Sequence, residues 1–276
     1  MSVYKPGNVA LVSGGASGIG RAIANLCLTE GMHVAIVDKN RAAITDWLHE
    51  SREKHPNLKI EGYPEDVANP NSWSLFKKDF LKIFQRLDLL VLNAAIAQPS
   101  DWTHASTFLK TFEVNVMGYL HGVATFFAEI TASEPGSPKA IVMTGSKQGI
   151  TNPPGNPGYN ASKAAVKFLA ENLHYDLRDS PSTSVHLLVP GWTFTGMSKS
   201  PEKPEGAWEP EQVAKFLREK MDNGDFYIIC PDNEVDEETD NRRILWAAHD
   251  VVERRPPLSR WREDWKDKAA AEINGS

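Results

Sequence analysis

The sequence predicts an α/β protein: a single domain built on a doubly wound parallel sheet flanked by helices on both faces, with an extended C-terminal tail. Three observations lead there. Short apolar runs alternate along the chain with helix-length amphipathic segments. The runs are unbroken, unlike the polar/apolar alternation of a half-exposed strand, so they suit strands buried on both faces. The 276 residues are 41% hydrophobic and 24% charged, enough apolar material for one large core.

The elements follow in order. Residues 9–12 form the first strand, and 18–30 the first helix, with Ile19, Ile23 and Leu26 at helical spacing. Residues 33–37 are the second strand, 41–55 the second helix and 58–63 the third strand. A helix over 71–84 carries Trp73, Phe76, Phe80 and Phe84, and 87–92 is a continuous apolar strand. Residues 108–130 read as one long helix, followed by a loop over 133–139, a strand over 140–143, a helix over 159–177 and a strand over 185–189. Beyond Pro190 come a loop rich in Pro, Lys and Glu (199–210), a short helix and a strand over 226–230. The acidic run 232–240 and the Trp- and Arg-rich tail read either as mobile surface elements or, from the apolar residues of 242–265, as helices that dock on a surface.

Bulk properties exclude several partners. A net charge of −6 argues against nucleic acid or an anionic membrane, both of which demand a basic face. No apolar run reaches the ~18 residues of a spanning helix, and the N-terminus reads as a first strand, so a soluble cytoplasmic protein is expected. The two cysteines, Cys27 and Cys230, read as buried thiols. The eight histidines show no HExxH spacing, so no metal site is expected.

Two clusters carry chemistry. Ser13-Gly14-Gly15-Ala16-Ser17-Gly18-Ile19-Gly20 lies between the first strand and the first helix. Glycines there let the backbone approach a pyrophosphate, and the helix N-terminus offers free N–H groups. Asp38 ends the second strand, about 20 residues on, where a carboxylate accepts from ribose hydroxyls and repels a 2′-phosphate. NAD is therefore expected, with Lys39 and Arg41 keeping NADP open as the less favoured cofactor. Tyr159 and Lys163 are four residues apart, on one face of a helix. A neighbouring ammonium lowers a phenol pKa toward neutrality, which makes Tyr159 a candidate acid/base. Thr144-Gly145-Ser146 and Asn93-Ala94-Ala95 end strands, where active-site groups of open α/β sheets collect. Asn115 lies in an apolar helix and needs partners for its amide.

Together Gly14-x3-Gly18-x-Gly20, Asn93-Ala-Ala, Asn115, Ser146, Tyr159-x3-Lys163 and Pro190-Gly191 with Thr195 resemble the compact short-chain dehydrogenase/reductase superfamily, over roughly residues 8 to 195. The resemblance implies a Rossmann fold and an NAD-dependent oxidoreductase acting on a secondary alcohol/ketone. It implies Tyr159 as acid/base, Lys163 lowering its pKa and holding the nicotinamide ribose, Ser146 bonding the substrate oxygen, and Asn115 anchoring a relay water. It places Gly14, Ser17, Gly18, Ile19, Gly20, Asp38, Asp66, Val67, Asn93, Ala94, Thr193 and Thr195 around the cofactor, together with Tyr159 and Lys163. It also implies a homodimer or homotetramer, through helices 108–130 and 159–177. On this reading residues 1–235 are the nucleotide-binding and catalytic domain, and 236–276 an extension on the domain or a neighbouring subunit.

The sequence departs from the family pattern at Leu92 and Ala95, in the long loop 133–139, and in the final strand and tail. Substrate walls are expected from 97–104, 148–158 and 192–208, with Trp102, Ile150, Trp192, Phe194, Met197 and Trp208 forming an apolar pocket for a hydrophobic or cyclic substrate. His104 touches substrate or caps the surface. An epimerase/dehydratase and a nucleotide-sensing binding protein are the alternative functions; intact Ser146, Tyr159 and Lys163 weigh against both.

Overall fold

The computed structural model describes residues 2–132, 137–180, 182–198 and 200–274. Most of the expected loop 133–139, at residues 133–136, lies outside them, as does Lys199 of the loop 199–210. Seven parallel strands form one sheet: β1 (Val9–Ser13), β2 (His33–Val37), β3 (Ile60–Tyr63), β4 (Leu89–Leu92), β5 (Lys139–Thr144), β6 (Thr183–Val189) and β7 (Tyr227–Ile229). The spatial order is β3-β2-β1-β4-β5-β6-β7. Strand order reverses between β1 and β4, which pair with Leu11 opposite Leu90. A reversal of this kind opens a crevice at the C-terminal ends of the strands.

The unbroken apolar runs are explained by two cores. Ala10 and Val12 of β1 point into one, with α1 (Gly18–Thr29), α2 (Arg41–Lys54) and α8 (Pro210–Asp222). Val9 and Leu11 point into the other, with α3 (Pro70–Phe84), α5 (Gly118–Thr131) and α7 (Pro157–Asp176). Successive side chains leave a strand on opposite faces, so covering both faces demands apolar residues at every position. The aromatics of α3 do most of the filling on the second face: Phe80 and Phe126 meet edge to face at 5.2 Å. Asn69 and Asn156 cap α3 and α7, each with proline in the first turn, which sets where both helices begin.

The expected single helix 108–130 is three segments. α4 (Ala105–Phe112) passes into a π turn, Glu113–Met117, and then into α5. The apolar spacing shows helix throughout, and the π turn is a local change of hydrogen bonding within that helical run. Of the two forms expected for the tail, it takes that of docked helices. It forms α9 (Glu237–Val252), a 3-10 turn at Ser259–Trp261 and α10 (Lys266–Asn274). Trp246, Ala269 and Ile273 make a small core of their own. α9 lies against α6 (Gln148–Thr151), the short helix that follows β5. Among the described residues, no helix is long and apolar enough to cross a membrane.

Candidate active site

The glycine loop closes the crevice from the β1 side. Gly14 and Gly18 have φ of 64° and 52°, left-handed values that a side chain would strain. A Cβ on Gly20 would stand 2.2 Å from Gly14 O, so the loop closes tightly only with glycine there. Ser17 precedes α1 without a side-chain cap, and the first intrahelical donor is Arg21 N to Ser17 O. The N–H groups of Gly18, Ile19 and Gly20 are thus left over for an anion.

Asp38 stands at the end of β2. Its carboxylate accepts from Ala16 N at 3.3 Å and from Asn40 N at 3.0 Å, which ties it to the glycine loop. On the β4 side, Asn93 N and Ala94 N both donate to Ser13 Oγ, while Asn93 Nδ2 donates to Ser13 O. Asn93 therefore bolts β4 to β1 at the strand reversal. Asp66 is spent on its own turn, accepting from Ala68 N, and Val67 O accepts the Trp73 indole. Thr195 folds down onto the loop, with Cγ2 3.1 Å from where a Gly18 Cβ would sit. Thr193 bridges to Trp208 and donates to Gly191 O.

The reacting groups gather at the end of β5. Ser146 lies two residues past the strand, close enough to the Tyr159 phenol to oppose the rise in its pKa. Lys163, one turn along α7, is buried and donates to Thr144 O at 2.7 Å and to the Tyr119 hydroxyl at 3.4 Å. Its Nζ lies 5.9 Å from the Tyr159 ring centre. Burial pushes the Lys163 pKa down to about 7.

Burial raises the Tyr159 pKa, and Ser146 partly opposes the rise.

Asn115 sits at the middle of the π turn. Its Oδ1 accepts from Ile96 N at 2.8 Å, and its Nδ2 donates to Ile96 O and to Ser162 Oγ, both at 2.9 Å. Ser162 Oγ in turn donates to Tyr159 O. Both amide protons are committed, so the side chain acts as a clamp from the β4 loop to the first turn of α7. A relay water there would be limited to the remaining lone pair of Oδ1 or to a backbone carbonyl.

A family model described as short chain dehydrogenase matches residues 8–206. The chain belongs to the short-chain dehydrogenases. A cis-2,3-dihydrobiphenyl-2,3-diol dehydrogenase from Pseudomonas sp. (strain KKS102) is 32% identical over 197 residues, covering 68% of this chain and 67% of that protein. A short-chain dehydrogenase/reductase from Burkholderia phymatum, solved with NAD, matches at TM-score 0.82 and 25% identity, covering 93% of this chain and 98% of that one. One from Burkholderia cenocepacia J2315, solved with NADP, shares the fold at TM-score 0.69 and 24% identity, covering 78% and 90%. This short-chain dehydrogenase is an oxidoreductase, and its fold is that of its solved neighbours.

Three residues at this dehydrogenase's site escaped the sequence reading. Tyr119 bonds both Thr144 O and Lys163; its signal was a spacing of four from Asn115. Ser162 was hidden inside the Tyr159–Lys163 motif. Lys147 follows Ser146 and lies 2.5 Å from Asp240 and 3.5 Å from Asp232, so the acidic run is partly an anchor and not a mobile surface. Asp232 also accepts from Trp192 N, which holds the turn after β6. Nothing local in the sequence pairs residue 147 with residue 240.

The expected substrate walls divide. Trp208 packs on Phe216, and its backbone pairs with Trp192 and Phe194, so it serves as a strut. Trp102 lies on Phe108 and is exposed, as are Trp192 and Met197. His104 stands at the N-cap position of α4 without a side-chain cap, is exposed, and pairs with Asp101 at 2.7 Å. That is the surface role of the two considered for it.

Proposed function

We propose that this short-chain dehydrogenase transfers a hydride between NAD and a secondary alcohol/ketone of hydrophobic or cyclic type, with Tyr159 as the general acid/base. The observation that carries the reading is the Tyr159–Ser146 pair at the C-terminal end of β5, backed by the buried Lys163. The relative from Pseudomonas, whose name specifies a cyclic diol, favours the cyclic class.

The crevice suits a nicotinamide dinucleotide: the tight glycine loop and the unbonded N–H groups of α1 fit a pyrophosphate. When bound, the nicotinamide supplies the hydride acceptor or donor. Gly18, Ile19 and Gly20 offer N–H groups to the phosphates, with Thr193 and Thr195 over the loop. Asp38, fixed by Ala16 N and Asn40 N, favours NAD, since a 2′-phosphate would face its negative charge.

For ketone reduction, Ser146 orients the substrate oxygen and Tyr159 gives it a proton. The raised phenol pKa keeps that proton in place at neutral pH. For alcohol oxidation the phenol must first lose it. Lys163, with a pKa near 7, spends the two N–H groups of its neutral form on Thr144 O and the Tyr119 hydroxyl and keeps its lone pair to take up that proton through an intervening water.

The test is cofactor absorbance across a panel of secondary alcohols, with NAD and NADP in parallel. NAD-preferring turnover that falls about 10²–10⁴-fold in Tyr159→Phe is expected. Preference for NADP would overturn the role of Asp38, and equal turnover of polyols and apolar alcohols would overturn the substrate class.

A further inference from the structure

Outside the catalytic crevice, three arginines gather where the tail meets α6. A cavity of about 260 Å³ opens there. One wall is Ile150, Thr151 and Asn152; another carries Arg243, Arg255 and Arg260, with Trp246 and Trp261 among the apolar surfaces. Three guanidiniums round one recess is unusual for a protein of net charge −6.

Three carboxylates stand nearby. Asp250, which lines the recess, accepts from Ser259 N at 3.0 Å and from Ser259 Oγ at 2.5 Å. Glu253 is engaged by Nε and Nη2 of Arg255. Asp240 pairs with Lys147, and its charge also acts on Arg243 and Arg260.

Arg255 supplies the decisive observation. Its side chain is 6% exposed and stacks on Trp246 at 4.5 Å, yet its Nη1 is buried with no hydrogen-bond partner. The Nε of Arg243 is in the same condition. Buried charged donors without an acceptor are costly, and a carboxylate or phosphate is the acceptor that fits a guanidinium fork. Arg260 is crowded as well: burial and neighbouring Arg243 push its pKa down to about 10, with Asp240 partly opposing them.

We propose that this recess binds the carboxylate of an organic acid with an apolar body, the acid group meeting the arginines and the body lying on Trp246, Trp261 and Ile150. α6 makes the recess relevant to the chemistry. On its far side Gly149 touches α7: a Cβ there would come within 2.6 Å of the Lys163 backbone. Asn152 accepts from Asn160, the residue after Tyr159. A ligand on this wall therefore bears on the helix that carries the acid/base. The acid is either the far end of the substrate, which rests on the function proposed above, or a separate ligand.

The experiment uses the full chain with NAD. Binding of hexanoate is compared with hexanamide by calorimetry, for wild type, Arg260→Gln and Arg243→Gln; Arg255 is left intact because it anchors the tail. Hexanoate should bind and hexanamide should not, and each substitution should weaken hexanoate about tenfold or more without changing NAD affinity. Equal behaviour of acid and amide, or variants that bind as wild type does, would overturn the site.

A second arm measures kcat/KM for hydroxy acids against their methyl esters. An acid preference that Arg260→Gln removes places the substrate in the recess; equal turnover with intact hexanoate binding makes the acid a separate ligand. Hexanoate binding without any alcohol turnover would sink the dehydrogenase reading and leave the recess standing.

Discussion

Two lysines stand at the same end of the sheet and are built for opposite tasks. Lys163 is buried with neutral partners, Thr144 O and the Tyr119 hydroxyl, at 2.7 and 3.4 Å. Lys147, just past β5, lies between the carboxylates of Asp232 and Asp240. A buried ammonium without a counter-charge is easily deprotonated, and the Lys163 pKa near 7 expresses that. An ammonium between two carboxylates holds its charge and the parts that carry them. The inner lysine is suited to moving a proton and the outer one to holding a position. Ser146 sits between them, on the turn that both define.

The largest effect should come from the inner lysine. Lys163→Met is expected to lower kcat by about 10²–10⁴-fold, the usual scale for losing acid–base chemistry, while the domain stays folded. Steady-state kinetics beside circular dichroism would check it. A kcat within a few-fold of wild type would erase the distinction between the two lysines.

Next comes the outer lysine. Asp240→Asn leaves Lys147 with one distant carboxylate and removes the tie to α9. The expected cost is about 2–4 kcal/mol, concentrated in tail docking, because the pair is largely buried but not sealed. Limited proteolysis should then cut ahead of α9 faster, with kcat/KM lowered and kcat nearly kept. A loss of kcat as deep as that of Lys163→Met would show that the outer network does chemistry too.

These two networks were unequally legible. Gly14, Asp38, Ser146, Tyr159 and Lys163 fall in short local patterns, and the sheet was visible because both faces of each strand need apolar residues. The inner network was half visible: Asn115 was evident, but its partners Ile96 and Ser162 lie 19 and 47 residues away, where no local pattern links them to it. The outer network was invisible, since Lys147 and Asp240 are joined only once α9 folds back on α6.

The smallest effect is the most diagnostic of the comparison. Lys163 titrates near 7 in the folded chain, against an ordinary value of 10.5. Between those values the unfolded chain binds more protons at this residue, so its contribution to stability rises with pH across that window. Below about pH 7 the side chain is charged in both states, and the full penalty of burying the ammonium is felt. Lys163→Met keeps the volume and removes the charge. Without cofactor, the variant should therefore be more stable than wild type by about 1–2 kcal/mol near neutral pH or below, with the gap closing as pH rises toward about 10. Lys147→Met, which strips the partner from two carboxylates, should be less stable than wild type over the same range. Denaturant titrations at several pH values separate the two, and a gap for Lys163→Met that widens with rising pH would mean that the inner lysine keeps its charge in the fold.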